Sequence, residues 1–391
     1  MVHLKRHVGM VLACLLAPHL PVVSVAAMAA TAEVSTTDPM ISYRAYEQAI
    51  QAGNLKEAAD HAQTAWQAAE VKWGGSNPNT AGLAYNAAWS AALANQPSRG
   101  LAPARRAVAL APGASGAYKP EEAAFLLAYA EFFTADKAAQ PRKAVTLLAN
   151  AKPVARTWGD MLFADGLIAA SYSLSLSGRF GQGLEASNLA LSHLDQLNPK
   201  DPTRRPLALL GRGIAKMMRK EMVEAHSDVL EAQIAYGPER TRDDGDWAKL
   251  QAWGMVMDSL ARSTGATDQP TGTNLRRTMG KMRKMTPEEV ALVYPTDQMC
   301  QGGERPKRIS GQDIRPASAG TSLVNIGGVL ARVDLNPDGS VANPRVLGVV
   351  PDEAFAEAVL KGLRTWRYDV TSTTNPACLK DFSISVVFMV G

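Results

Sequence analysis

The stretch WGGSNPNTAGLAYNAAWSAAL, Trp73 to Leu93, decides how most of this chain is read. Asn77-Pro78 marks a helix start, because proline suits the first helical position, where its missing N–H would have had no intrahelical partner. Small residues then recur at helical spacing, so a neighbouring helix can approach closely. The same grammar extends in both directions. Lys119-Pro120 and Asp201-Pro202 open further helices, and apolar residues keep the helical period from just after Ser35–Asp38 to about Ser263. Turns fall at Gly53-Asn54, Asn95-Gln96-Pro97, Gln140-Pro141 and Ser177-Gly178-Arg179.

Prolines at 112, 153, 199 and 238 close successive helix pairs, and their separations of 41, 46 and 39 residues fall in the range of a helical repeat array. Here the residues resemble tetratricopeptide repeats. Ala104, Ala107, Val108 and Pro112 match a small-residue second helix with its terminal proline, and Gly178, Phe180, Gly183, Ala190 and Leu191 match another copy. Trp73–Leu93 looks like the longer repeat of kinesin light chains. The resemblance implies an all-α solenoid over residues 41–263, with about five or six pairs and a groove that holds peptides or partner proteins. Tyr85, Asn86, Trp89, Tyr129 and Tyr172, on first helices, are the candidates to line it.

The first 29 residues read as an address. Lys5 and Arg6 precede an apolar run from Val8 to Val25, followed by small-residue cleavage patterns at Ala27-Met28-Ala29 and Ala30-Thr31-Ala32. That order is a cleaved secretory signal, with an uncleaved inner-membrane anchor as the alternative. Its removal takes Cys14 with it and leaves Cys300 and Cys378. In an oxidising compartment two cysteines are most simply one disulfide, or else two unrelated buried thiols. Closing a loop of that length stabilises by about 4 kcal/mol in the chain-entropy account.

Residues 264–308 form a Gly/Pro-containing basic connector. Leu275, Met279 and Met282 make a short apolar stripe, flanked by Arg276, Arg277, Lys281, Arg283 and Lys284. The cations suggest either contact with anionic lipid or an acidic partner, or a capping helix with solvated charges.

Beyond residue 309 the period changes. Val329, Ala331, Val333 and Leu335 alternate with Leu330, Arg332 and Asp334, which is the signature of a strand. Asn336-Pro337-Asp338-Gly339 is a turn, and Val341 and Arg345–Val350 supply the returning strand. From Pro351-Asp352 a helix places Phe355, Val359, Leu363 and Trp366 on one face, and Phe382 onward forms a last strand. This ββαβ order, with Gly-x-Val-x-x-Val-Asp loosely spaced over Gly327–Asp334, Asp338-Gly339-x-Val341 and Leu363-x-x-Trp366-x-Tyr368, resembles the C-terminal domain of TonB. The resemblance implies a small α+β domain over residues 309–391. It also implies that the edge of the final strand, Phe382, Ser383, Ile384, Ser385, Val386, Val387 and Phe388, pairs with an extended peptide of an outer-membrane transporter.

Composition narrows the function. Hydrophobic residues at 46% and charged residues at 20% exclude wholesale disorder and a polytopic membrane protein. The net charge of +4 is far below that of a dedicated nucleic-acid binder. No Gly-x-Ser-x-Gly, Walker loop, His-Glu-x-x-His or dinucleotide fingerprint occurs, and His61, His193 and His226 are scattered, so no catalytic residue, metal site or cofactor is expected. The expectation is a multidomain periplasmic scaffold that binds envelope proteins or extended peptides. A membrane-anchored energy transducer, an envelope-polymer hydrolase and a homodimer through the final strand are the alternatives.

Overall fold

Pro39, Pro78, Pro97 and Pro120 each begin a helix, as proline's fixed φ and absent N–H dictate. Asp38 and Asn77 cap two of these starts by accepting from the backbone N–H two residues on, at 3.0 and 2.9 Å. The structure, a computed structural model, describes residues 38–114, 116–241, 244–263, 286–289, 306–314, 326–351, 353–371 and 374–389. The signal segment, Arg276, Arg277, Lys281, Arg283, Lys284 and Cys300 lie outside them. The chain is mostly helical, with helices packed in order, followed by a small antiparallel sheet region. It forms two compact units. One holds the described residues as far as Ser173 together with Ser192–Leu197, and the other holds Leu174–Leu191 and everything from Asn198.

The helices of the first unit are α1 (Pro39–Gln51), α2 (Leu55–Lys72), α3 (Pro78–Leu93), α4 (Pro97–Leu110), α5 (Pro120–Thr134), α6 (Gln140–Val154) and α7 (Leu162–Leu176), with the end of α8 (Phe180–Leu197). From α1 to α6 each packs on the next, and α3 also meets α5. Alanine makes this possible. Ala58, Ala65, Ala69, Ala84, Ala104, Ala107, Ala123, Ala144 and Ala151 are all sealed from solvent, so backbones approach where larger side chains would hold them apart. Ion pairs tie successive pairs: Arg106 grips Glu70 through Nε and Nη2 at 2.6 and 3.0 Å, and Trp66 Nε1 donates to the same carboxylate at 3.1 Å.

In the second unit α9 (Arg204–Met218) packs on α10 (Met222–Tyr236), and α10 on α11 (Gly245–Ser263). A short β1 (Lys307–Ser310) then pairs antiparallel with β4 (Arg367–Asp369). The main sheet has the order β3-β2-β5, all antiparallel, from β2 (Ile326–Leu335), β3 (Val341–Val350) and β5 (Phe382–Met389). One face packs on α12 (Ala354–Leu363). Val329, Ala331, Val333 and Leu335 of β2 meet Phe355, Val359 and Leu363 there, with Trp366, Tyr368, Phe382, Ile384 and Phe388 completing the core. The opposite face is covered by α11, which contacts all three strands.

Candidate functional site

Four strands, β1, β3, β4 and β5, border a sheet, and their sequences treat that edge differently; β4 is three residues long and already bridges Ser340 through Arg367. β3 is irregular twice. Its pairing with β2 shifts register around Leu347 and again around Asn343-Pro344, where Asn343 takes φ +47°. Proline cannot donate a ladder bond and a bulge turns the edge away, so β3 is a poor template for another chain. β1 is four residues long, exposed throughout, charged at Lys307 and Arg308, and shifted in register between Arg308 and Ser310. Short, cationic, bulged strands resist edge pairing.

β5 carries none of these devices. Eight consecutive residues, Phe382 to Met389, pair with β2 from Val333 to Ile326 without a shift, and the strand holds no proline and no charge. Among the described residues, no strand pairs with its outer side. Its alternate side chains divide the two faces. Phe382, Ile384 and Phe388 are buried toward α12 with Val386 packed beside them, and Phe388 stacks on Phe355 at 5.4 Å. Ser385 is exposed and Val387 half-buried on the other face, and Ser383 is buried there opposite Arg332. The strand is pinned at its start. Asp381 donates its backbone N–H to Asp334 Oδ1 at 3.2 Å and receives Arg345 at 3.0 Å. Just upstream, Cys378 is buried and disulfide-bonded.

No protein-family model matches the chain, and no curated protein matches it.

The α11 face of the sheet is built for close approach. A side-chain carbon on Gly348 would lie 2.7–2.8 Å from the Ala248 backbone and methyl, and one on Gly328 would meet Val256 and the Ala252 carbonyl at 2.9–3.0 Å. At one end of this seam Arg332 of β2 forms an ion pair with Glu239, with the Trp247 ring 6.0 Å from the guanidinium. Burial pushes the Glu239 carboxyl up, against the downward pull of Arg332. Nearby, burial and Asp244 hold the Asp246 carboxyl above its ordinary range, opposed by Lys249. Among the described residues no group of three acidic, histidine or cysteine side chains could hold a metal ion, and no helix is long and apolar enough to cross a membrane.

The groove candidates of the first unit separate into two sets. Tyr85 is half-buried and stacks on Tyr118 at 4.7 Å, and Asn86 and Tyr172 are half-buried. Trp89 and Tyr129 are buried. Tyr129 lies between Phe125 and Phe133 and passes over Gly166, where a Cβ would sit 3.0 Å from its ring.

Trp89 reaches a hub that the sequence does not advertise. Its Nε1 donates to Asp160 Oδ2 at 2.7 Å, while Trp158 Nε1 and the Leu162 backbone N–H donate to Oδ1 at 2.8 and 2.9 Å. The Asp160 backbone oxygen lies 2.8 Å from His193 Nε2 on α8. One residue in the α6–α7 loop thus holds α3, the start of α7 and the end of α8. Burial pushes the His193 imidazole down.

Proposed function

We propose that this chain is an exported interaction scaffold of the Gram-negative envelope, which binds an extended segment of a partner by adding it as a strand beside β5. In this reading the ββαβ module is TonB-like and the helices are tetratricopeptide-like. The observation that carries the proposal is the asymmetry of the edges. β1 and β3 have bulges, cations or proline, whereas β5 is regular, uncharged and eight residues long. Backbone groups along such an edge supply affinity, and alternating side chains supply register. A Cys300–Cys378 disulfide belongs to this reading as well.

The test compares edges in living cells. A photo-crosslinking residue at Ser385, exposed on β5, is expected to capture an envelope protein, and the same residue at Ile309, exposed on β1, is not. A Val387→Pro change should abolish the capture while leaving the helical circular dichroism intact. Equal capture at both strands, or none at Ser385, would remove the support for strand addition.

A further inference from the structure

We propose that His193 and Asp160 form an acid-sensitive switch in the helical array: protonation of the buried imidazole releases the Asp160 loop and with it the anchors of Trp89 and α7. The geometry fixes which ring nitrogen carries the first proton. His193 Nε2 faces the Asp160 carbonyl oxygen at 2.8 Å, an atom that can only accept, so Nε2 carries the proton. Nδ1 is buried with no hydrogen-bond partner, and the ring packs against Phe163 at 4.6 Å. A second proton would therefore place a cation on a buried nitrogen that no protein acceptor faces, which is among the more costly arrangements in a protein interior.

The surroundings do not offset that cost. The charged residues of the packed elements are Arg156 and Asp160 in the α6–α7 loop, Asp165 on α7, and Glu185 and Asp195 on α8. Of these, only Asp160 pulls on the imidazole, and it does not outweigh burial. The Asp160 carboxylate is already engaged by Trp89, Trp158 and the Leu162 N–H. The sign follows by linkage. The folded chain resists protonation, so the unfolded or opened chain binds the proton first, and stability present above the ordinary histidine value of 6.5 is lost as pH falls below it. Opening reaches far because a single residue joins three helices. It depends on neither β5 nor the partner reading.

Indole N–H resonances of the full chain report the switch directly, with Trp89→Phe and Trp158→Phe used for assignment. From pH 7.5 to pH 5 the Trp89 and Trp158 signals are expected to shift or vanish together in one transition centred below pH 6.5. In a His193→Gln chain, which can still donate to the Asp160 carbonyl but cannot titrate, both should persist. Wild-type signals unmoved at pH 5, or the same transition in the glutamine variant, would overturn the proposal. Should that variant fail to fold, nitrogen shifts of the wild-type imidazole decide. The expected state is an Nε2-protonated neutral ring at pH 7 that titrates below 6.5, and titration at or above 6.5 contradicts the switch.

Discussion

A Gly348→Val chain is expected to lose about 3 kcal/mol from the second unit, as overpacking of a close backbone contact does. The reason is local and steric. The added Cβ would lie 2.7 Å from the Ala248 carbonyl carbon and 2.8 Å from its oxygen and methyl. Two of these three atoms belong to helix backbone, so no rotamer change relieves the contact and α11 must lift off the sheet. That exposes the face of β2 carrying Leu330 and Arg332, both buried under the helix region. Calorimetry of the full chain should show the loss in one transition. Combining Gly348→Val with Ala248→Gly should recover part of it, because the added side chain and the Ala248 methyl contend for the same space. Strictly additive effects would mean that α11 does not press on the sheet at this point. The same geometry predicts that a fragment beginning at residue 309 folds poorly, since it lacks the helix that covers one sheet face.

Asp160→Ala is expected to cost the first unit about 3–5 kcal/mol. The substitution removes the acceptor for the first turn of α7, worth about 1 kcal/mol, and strands two indole N–H groups, each costing about 1–3 kcal/mol when left buried without a partner. Trp89 and Trp158 are both 7% exposed, so water reaches them poorly. Asp160→Asn keeps one accepting oxygen and should lose less than half as much. Urea titration followed by near-ultraviolet circular dichroism reads both variants. An alanine variant within 1 kcal/mol of the parent would mean that the three donors find other partners.

Local chemistry in the sequence located many of the elements. Pro78 and Pro120 sit where helices begin, and the Phe355, Val359, Leu363 and Trp366 face is the one buried against β2. Gln140-Pro141 reads as a turn, but both residues stand in the first turn of α6, where proline is equally at home, and the connection lies just before them. Asp201-Pro202 reads as a helix start, yet α9 begins at Arg204, with Asp201 Oδ1 accepting from the Thr203 and Arg204 N–H groups. What escaped was non-local. Nothing near Gly348 or Gly328 reveals that Ala248 and Ala252 press on them, because glycine in a strand has several explanations. The Asp160 hub joins residues 71 and 33 positions away in sequence, so no window on the chain contains it. β1 and β4, four and three residues long, are too short to show alternation. The bulges of β3 escaped the strand reading over Val341 and Arg345–Val350, and the irregularity at Leu347 has no marker of its own.

The outer margin of β5 is best judged by amide hydrogen exchange of the isolated protein, read residue by residue from Ile384 to Phe388. The account predicts alternation: amides directed at β2 exchange slowly, and those directed outward exchange at nearly the rate of an open chain. Uniform slow exchange along all five residues would mean that both sides of the strand are already bonded, and strand addition at this edge would be contradicted.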